Sequence, residues 1–239
     1  MLRFLLSLVL VALVFSESIS AKTYQLGAIQ GLIEQEVGKK ILPKIYKRLG
    51  FNVEVKSLPA NKVENLLYLG FIDGEIMRIE SYGDNNDRVI RVPTPYYQLQ
   101  TMAFVNKNRK TPIKSLKDLQ GLKVAVVKGV KHTENATKGL ESVVALTNTK
   151  QILKLVDKGR VDVALTNTID GLVAIERLSL NNVVYIDQPL ATEPLYHYLH
   201  KSNEALVPKV DNQIKMMKES GELAVLIRQA ELAATAGSK

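Results

Sequence analysis

Apolar residues recur along this chain in two periods, and the two alternate. Short alternating or continuous apolar runs predict strands at Lys22–Gly27, Phe51–Val55, Ile72–Met77, Val89–Val92, Leu99–Val105, Lys123–Val127, Val143–Leu146, Val161–Leu165, Val183–Ile186 and Thr192–His200. Between them, apolar positions three and four apart predict helices. Ile33, Val37, Ile41 and Ile45 share one face of a helix that Gly50 stops. Pro43 lies inside it and should kink it or mark a second start, because proline has no amide hydrogen for the ladder. Further helices are expected from Pro59, over Ser115–Leu119, near Glu134–Leu140 and over about Ile169–Leu178, and two more finish the chain. The first of that last pair turns Leu206, Val210, Ile214 and Met217 inward and ends at Gly221.

One combination occurs twice: an apolar helix, a glycine, then a strand that opens apolar-Asp. The copies are Val63–Gly74 and Ile152–Val163. In each, the glycine (Gly70, Gly159) stands where a helix ends in the left-handed conformation that glycine adopts without strain. Two such crossover units, about ninety residues apart, imply two similarly built α/β lobes with mostly parallel sheets flanked by helices, and a cleft between them. Leu99–Val105 and Thr192–Leu199 sit where the chain would cross between lobes, as hinges. The expected division is a leader at 1–21, a first lobe from 22–100 and 195–239, and a second from 101–194.

The start of the chain adds an address. Arg3, the apolar run Phe4–Phe15 and the small residues around Ser18–Ala21 have the layout of a secretory signal, with cleavage expected near Ser20 or Ala21. The absence of cysteine excludes disulfides, thiol chemistry and a lipid-modified cysteine anchor, so a free, soluble periplasmic monomer is expected. The net charge of +8 is spread rather than clustered, and with export it argues against nucleic acid as a partner. No Walker loop, serine elbow or dinucleotide fingerprint is present. His197 and His200, three apart in a strand, would face opposite ways and make no metal site. No cofactor is expected.

Four pieces of the chain resemble the periplasmic solute-binding proteins of ABC uptake systems, of the polar amino acid type. They are Gly70–Asp73, Pro95–Tyr97, Ser115–Val126 and Gly159–Ala164, in the family's order and spacing. The resemblance implies a type II binding-protein fold that closes on a small ligand without chemistry of its own and presents it to a membrane permease. It also implies an arginine for the ligand carboxylate and, just after a second-lobe strand, an aspartate for its ammonium. Around Asn85 and Asn86 that arginine is missing, leaving Arg78 and Arg88 nearby, and Asn167 stands at the aspartate position. An amide recognises an ammonium less strongly than a carboxylate does. The ligand can therefore be amino acid-like, a small carboxylate, a modified amino acid or a short peptide fragment, with Asp170 able to compensate if it reaches the cleft.

Ligand-binding candidates are Arg78, Thr94, Tyr96, Tyr97, Lys131, His132, Thr133 and Asn167. Arg78 lies near the carboxyl end of a strand and has the planar fork that suits a carboxylate, although it could instead pair with Glu75 or Glu80 at the surface. Thr94 lies within Pro93-Thr94-Pro95 and Tyr96 and Tyr97 follow it, and at least one tyrosine should pack in the lobe core. Lys131, His132 and Thr133 precede a helix whose free amides could hold an anion, with Thr133 as its N-cap. Two alternatives to transport are a partnership with a membrane sensor and a dehydratase-like exported enzyme, the latter using Glu75 or Glu80 as acid or base.

Overall fold

The structure is a computed structural model that describes residues 22–84, 86–109 and 112–236; the expected export signal lies outside the described residues. The chain runs β1 (Thr23–Ile29), α1 (Ile33–Arg48), β2 (Asn52–Leu58), α2 (Ala60–Tyr68), β3 (Gly74–Ile79), β4 (Val89–Arg91) and β5 (Tyr97–Asn106). It continues through β6 (Val124–Val127), α3 (Lys131–Ala136), β7 (Val143–Leu146), α4 (Thr149–Asp157), β8 (Val163–Asn167), α5 (Thr168–Leu178), β9 (Val183–Tyr185) and β10 (Ala191–His200). Two helices end it, α6 (Val207–Glu219) and α7 (Glu222–Ala236).

The strand order β2-β1-β3-β10-β5-β8-β6-β7 reads as two copies of one arrangement placed head to head. In each lobe three strands pair in parallel, β2-β1-β3 and β7-β6-β8. The long strands β5 and β10 join the lobes. Tyr97–Thr101 pairs antiparallel with Ala191–Leu195, after which β5 continues along β8 and β10 along β3.

The repeated motif explains this symmetry at atomic scale. Gly70 and Gly159 take φ of 74° and 63°, and the aspartate that follows each one clips onto the neighbouring parallel strand. Asp73 exchanges bonds with Gln25, its amide donating to the Gln25 carbonyl at 2.7 Å and its Oδ2 accepting from the Gln25 amide at 2.8 Å. Asp162 repeats the exchange with Lys123, at 2.9 Å each way. Because Asp73 is spent on this clip, β3 begins at Gly74, two residues later than the apolar run suggests.

Two local expectations are corrected. Helix α1 continues through Pro43 without a second start: Ile41, Leu42, Ile45 and Tyr46, all fully buried on either side, anchor it at the loss of one ladder bond. Helix α3 starts at Lys131 rather than near Glu134: Gly129 turns the chain at φ 80° and Glu134 Oε1 accepts from its amide at 2.8 Å. Thr133 is consequently inside the helix, its hydroxyl donating to the Val130 carbonyl at 3.0 Å, and Val130 holds the cap position.

Helices α1, α6 and α7 bury one face of the first lobe, and α2 the other. Helices α4 and α5 cover the second. Gly171 lets α5 lie against Phe104, since a Cβ there would sit 1.9 Å from the ring's Cζ. Phe104 is fully buried and cannot retreat. Gly171→Ala should therefore cost about 2 kcal/mol net despite alanine's better helix propensity. A melting curve should fall by roughly 4–8 °C, and an unchanged Tm would refute the close packing.

Candidate functional site

Where the lobes meet, Ile29, Leu32 and Ala60 of the first join Val127 and Val130 of the second in one buried cluster. Across the same seam Asn135 donates to Ser81 Oγ at 3.0 Å. Beside this contact lies a cavity of about 30 Å³, whose lining includes Glu34, Gln35, Arg78, Lys131 and His132.

Arg78 enters from β3 and is 4 % exposed. Its Nε donates to Glu75 Oε2, the Tyr82 hydroxyl donates to Glu75 Oε1, and the guanidinium lies 4.4 Å from the centre of the Tyr82 ring. Burial pulls the guanidinium pKa down, but Glu75 more than offsets this and holds it above the ordinary arginine value. Arg78 is therefore charged, and its Nη2 has no hydrogen-bond partner.

His132 enters from α3 in the other lobe, also 4 % exposed. Its Nδ1 is bonded to Thr101 Oγ1 on hinge strand β5 at 2.7 Å, and its Nε2 has no partner. Burial lowers its pKa to about 3, so the ring is neutral. Two residues that line one cavity, one from each lobe, thus each carry a buried nitrogen without a partner, which is uncommon. Lys131 lines it too, its ammonium 3.5 Å from Glu134.

Towards the hinge a second cavity of about 300 Å³ is lined by Glu34, Tyr97 and Asn167, among others. Asn167 Nδ2 donates to Glu34 Oε2 and to Asp170 Oδ2, each at 2.6 Å, and its Oδ1 caps α5 by accepting from the Asp170 amide at 2.8 Å. Asp170 Oδ1 accepts from the Ile33 amide of the opposite lobe. Burial, then the facing Asp170, pushes the Glu34 pKa well above the carboxylate range. Burial pushes Asp170 up to about 6, with the Ile33 amide, Glu34 and Asn167 holding it back. Burial thus favours the protonated form of both carboxyls, which face each other between the lobes with Asn167 bonded to each.

Of the eight candidates, Arg78, Lys131 and His132 share the small cavity, and Tyr97 and Asn167 line the neighbouring one. Thr94, Tyr96 and Thr133 line neither. Tyr96 is in the core, donating to the Ile76 carbonyl at 2.5 Å, and Tyr97 donates to Glu231 on α7 at 2.8 Å. The Thr94 amide donates to Asp211 on α6 at 2.7 Å. Arg88 is exposed over the Tyr68 ring, 4.8 Å from its centre. His197 is buried with its ring nitrogens on the Tyr46 hydroxyl and the Glu75 carbonyl, whereas His200 contacts Ser202. Sequence reasoning missed Glu34, Gln35 and Thr101. Glu34 had one signal, its place next to Ile33 on a helix face that continues through Gly38 and Leu42.

Residues 36–230 match a family described as bacterial extracellular solute-binding proteins, family 3. An uncharacterized protein of Shewanella oneidensis is 31% identical over 186 residues, which is 73% of this chain and 68% of that protein. The probable ABC transporter extracellular-binding protein YckB of Bacillus subtilis is 32% identical over 130 residues, 54% of this chain and 45% of YckB. Among solved structures, a histidine kinase sensor domain with similarity to periplasmic binding proteins has a TM-score of 0.74 at 20% identity, covering 87% of this chain and 96% of that one. An ancestral arginine-binding protein bound to arginine gives 0.72 at 24%, covering 87% and 97%. These structural likenesses establish a mixed α/β fold of the type II periplasmic binding protein kind. The match over most of the chain shows its family: the protein belongs to the bacterial extracellular solute-binding proteins, family 3.

Proposed function

We propose that this protein is exported to the periplasm and captures a small anionic or zwitterionic solute between its lobes for an ABC-type permease. One observation carries the reading: a buried, charged Arg78 with a free Nη2 and a buried His132 with a free Nε2 line one cavity, each from a different lobe. The guanidinium fork takes an oxyanion and the imidazole closes on it from the other side. The cavity of about 30 Å³ is close to the share of one water molecule, so a solute enters by parting the lobes at β5 and β10 and selects the shut form only through contacts it gains there. Lys131 extends the positive wall. Asn167 serves this reading as a latch residue, and Thr94, Tyr96 and Thr133 as supports of the fold. We assign the lobes to 22–100 with 195–239 and to 101–194, a division that the crossing of β5 and β10 supports.

A membrane sensor is the second reading for the partner, favoured by the likeness to a histidine kinase sensor domain. The binder reading gains over an enzyme from the carboxylates near Arg78: Glu75 is locked to Arg78 and Tyr82, and Glu80 pairs with Arg91 at 2.5 Å.

Mass spectrometry of molecules released from the purified protein identifies the solute, and calorimetry with that solute tests the site. Arg78→Ala should weaken binding at least about tenfold. Arg78→Lys, which keeps the charge beside Glu75, should weaken it less. Equal affinities for all three proteins would remove Arg78 from the site.

A further inference from the structure

On the outer side of the seam a separate cavity of about 380 Å³ opens between the β1–α1 turn at Gln30 and Gly31 and the start of α4. Its volume falls within the range of small-molecule sites. Neither Arg78 nor His132 lines it. Thr149, Lys150, Asp170 and Arg177 do, and among the described residues neither Lys150 nor Arg177 is in a salt bridge. Asp170 is the one carboxylate in that lining, and its oxygens are committed to the Ile33 amide and to Asn167. The net field is positive.

Two independent features add donors. Helix α4 is nine residues long and directs its first-turn amides at this end, where Asn148 caps it by accepting from the Gln151 amide at 3.0 Å. Thr149 is 4 % exposed, and its hydroxyl has no hydrogen-bond partner. Thr149 is among the lining residues, and a buried hydroxyl left unmatched costs free energy that a ligand bonded to it would recover.

We propose that this cavity is a second, anion-selective subsite, taking a small oxyanion on Lys150, Arg177, the Thr149 hydroxyl and the α4 amides, with Gln30 closing over it from the other lobe. Because its walls come from both lobes, an oxyanion seated here also ties them together. The inference is independent of the Arg78 reading. The oxyanion is either a free inorganic ion or the far end of a solute whose other end reaches the Arg78 cavity.

The test is a titration of the full chain with inorganic phosphate, followed by backbone amide NMR shifts, and a parallel titration with succinate. Phosphate should give saturable shifts at Thr149, Lys150 and Gly31 that persist in Arg78→Ala. They should weaken by about tenfold in the Lys150→Ala, Arg177→Ala double variant and by a smaller factor in Thr149→Val. Lys150 and Arg177 are exposed, so their replacement should shift the melting curve little, by no more than the pull of Arg177 on Asp170 contributes. Succinate shifting both the α4 turn and the Arg78 surroundings at one affinity would mark the subsite as the reader of a solute's far end. Shifts at the α4 turn alone would mark a free-anion site. Absence of saturable shifts there, or shifts indifferent to Lys150 and Arg177, would overturn the proposal, whatever becomes of Arg78.

Discussion

Glu75→Ala should destabilise the protein by about 3–5 kcal/mol, because it strands a buried guanidinium without its counter-charge. Glu75 is 1 % exposed and accepts from both Arg78 Nε and the Tyr82 hydroxyl. Removing its carboxylate leaves a charge and a phenol hydroxyl unmatched, in a place where Arg78 Nη2 already lacks a partner. The melting temperature should drop on the order of 10 °C. Glu75→Gln, which keeps an acceptor but loses the charge, should fall between the variant and the parent. The same experiment reports on function. If a solute anion meets Arg78, saturating solute should raise the Tm of Glu75→Ala by more than it raises that of the parent, since it supplies the missing negative charge. A loss of only a degree or two without solute would show that the pair contributes nothing to the fold.

What the sequence made legible was whatever depends on near neighbours. Gly70 and Gly159 announce their helix ends because the left-handed turn is a local need, and the aspartates at Asp73 and Asp162 mark strand starts because each clip is made at the next strand's edge. The hinge strands stood out by length and apolar content. Arg78 could be nominated from its strand position and its chemistry. Its buried state could not, because its cover is completed from a distant part of the chain: Tyr82, four residues on, lies over it, and Tyr198 of β10 stacks edge-on against Tyr82 with ring centres 5.1 Å apart. The pairing with Glu75 therefore reads from sequence as a surface contact and turns out to be internal. Pro43 starts no second helix for the converse reason, since a local penalty is outweighed by burial on both sides. Glu34 was hidden by its ordinary appearance. An acidic residue in the first turn of a helix is what the helix dipole favours anywhere, and only contact with Asp170, far along the chain, makes it special.

That contact predicts a closure that acid strengthens. Glu34 and Asp170 face each other across the seam with Asn167 bridging both, the Ile33 amide on Asp170, and Arg177 near enough to lower the Asp170 pKa. The Tyr97 hydroxyl, bonded to Glu231, stays protonated, its pKa raised by burial first and then by Glu231, with Glu34 and Asp170 adding to the shift. Both carboxyl pKa values are raised in the shut form, so that form binds protons more tightly than one with the pair parted in water. Its advantage is therefore complete below the ordinary carboxylate pKa and is lost as pH rises through the raised values. The lift of Asp170 from 3.8 to about 6 corresponds to about 3 kcal/mol, surrendered between about pH 4 and 6. Glu34, raised by burial and then by the facing Asp170, adds to the loss in the same direction as pH rises. Small-angle scattering of solute-free protein should show the radius of gyration increasing from pH 4.5 to 8.5. Glu34→Gln should reduce that increase, since the amide can donate to Asp170 and accept from Asn167 but does not titrate. A radius that is constant across the range, or a pH response identical in the parent and Glu34→Gln, would sink the latch and leave the carboxyl pair as a structural contact only.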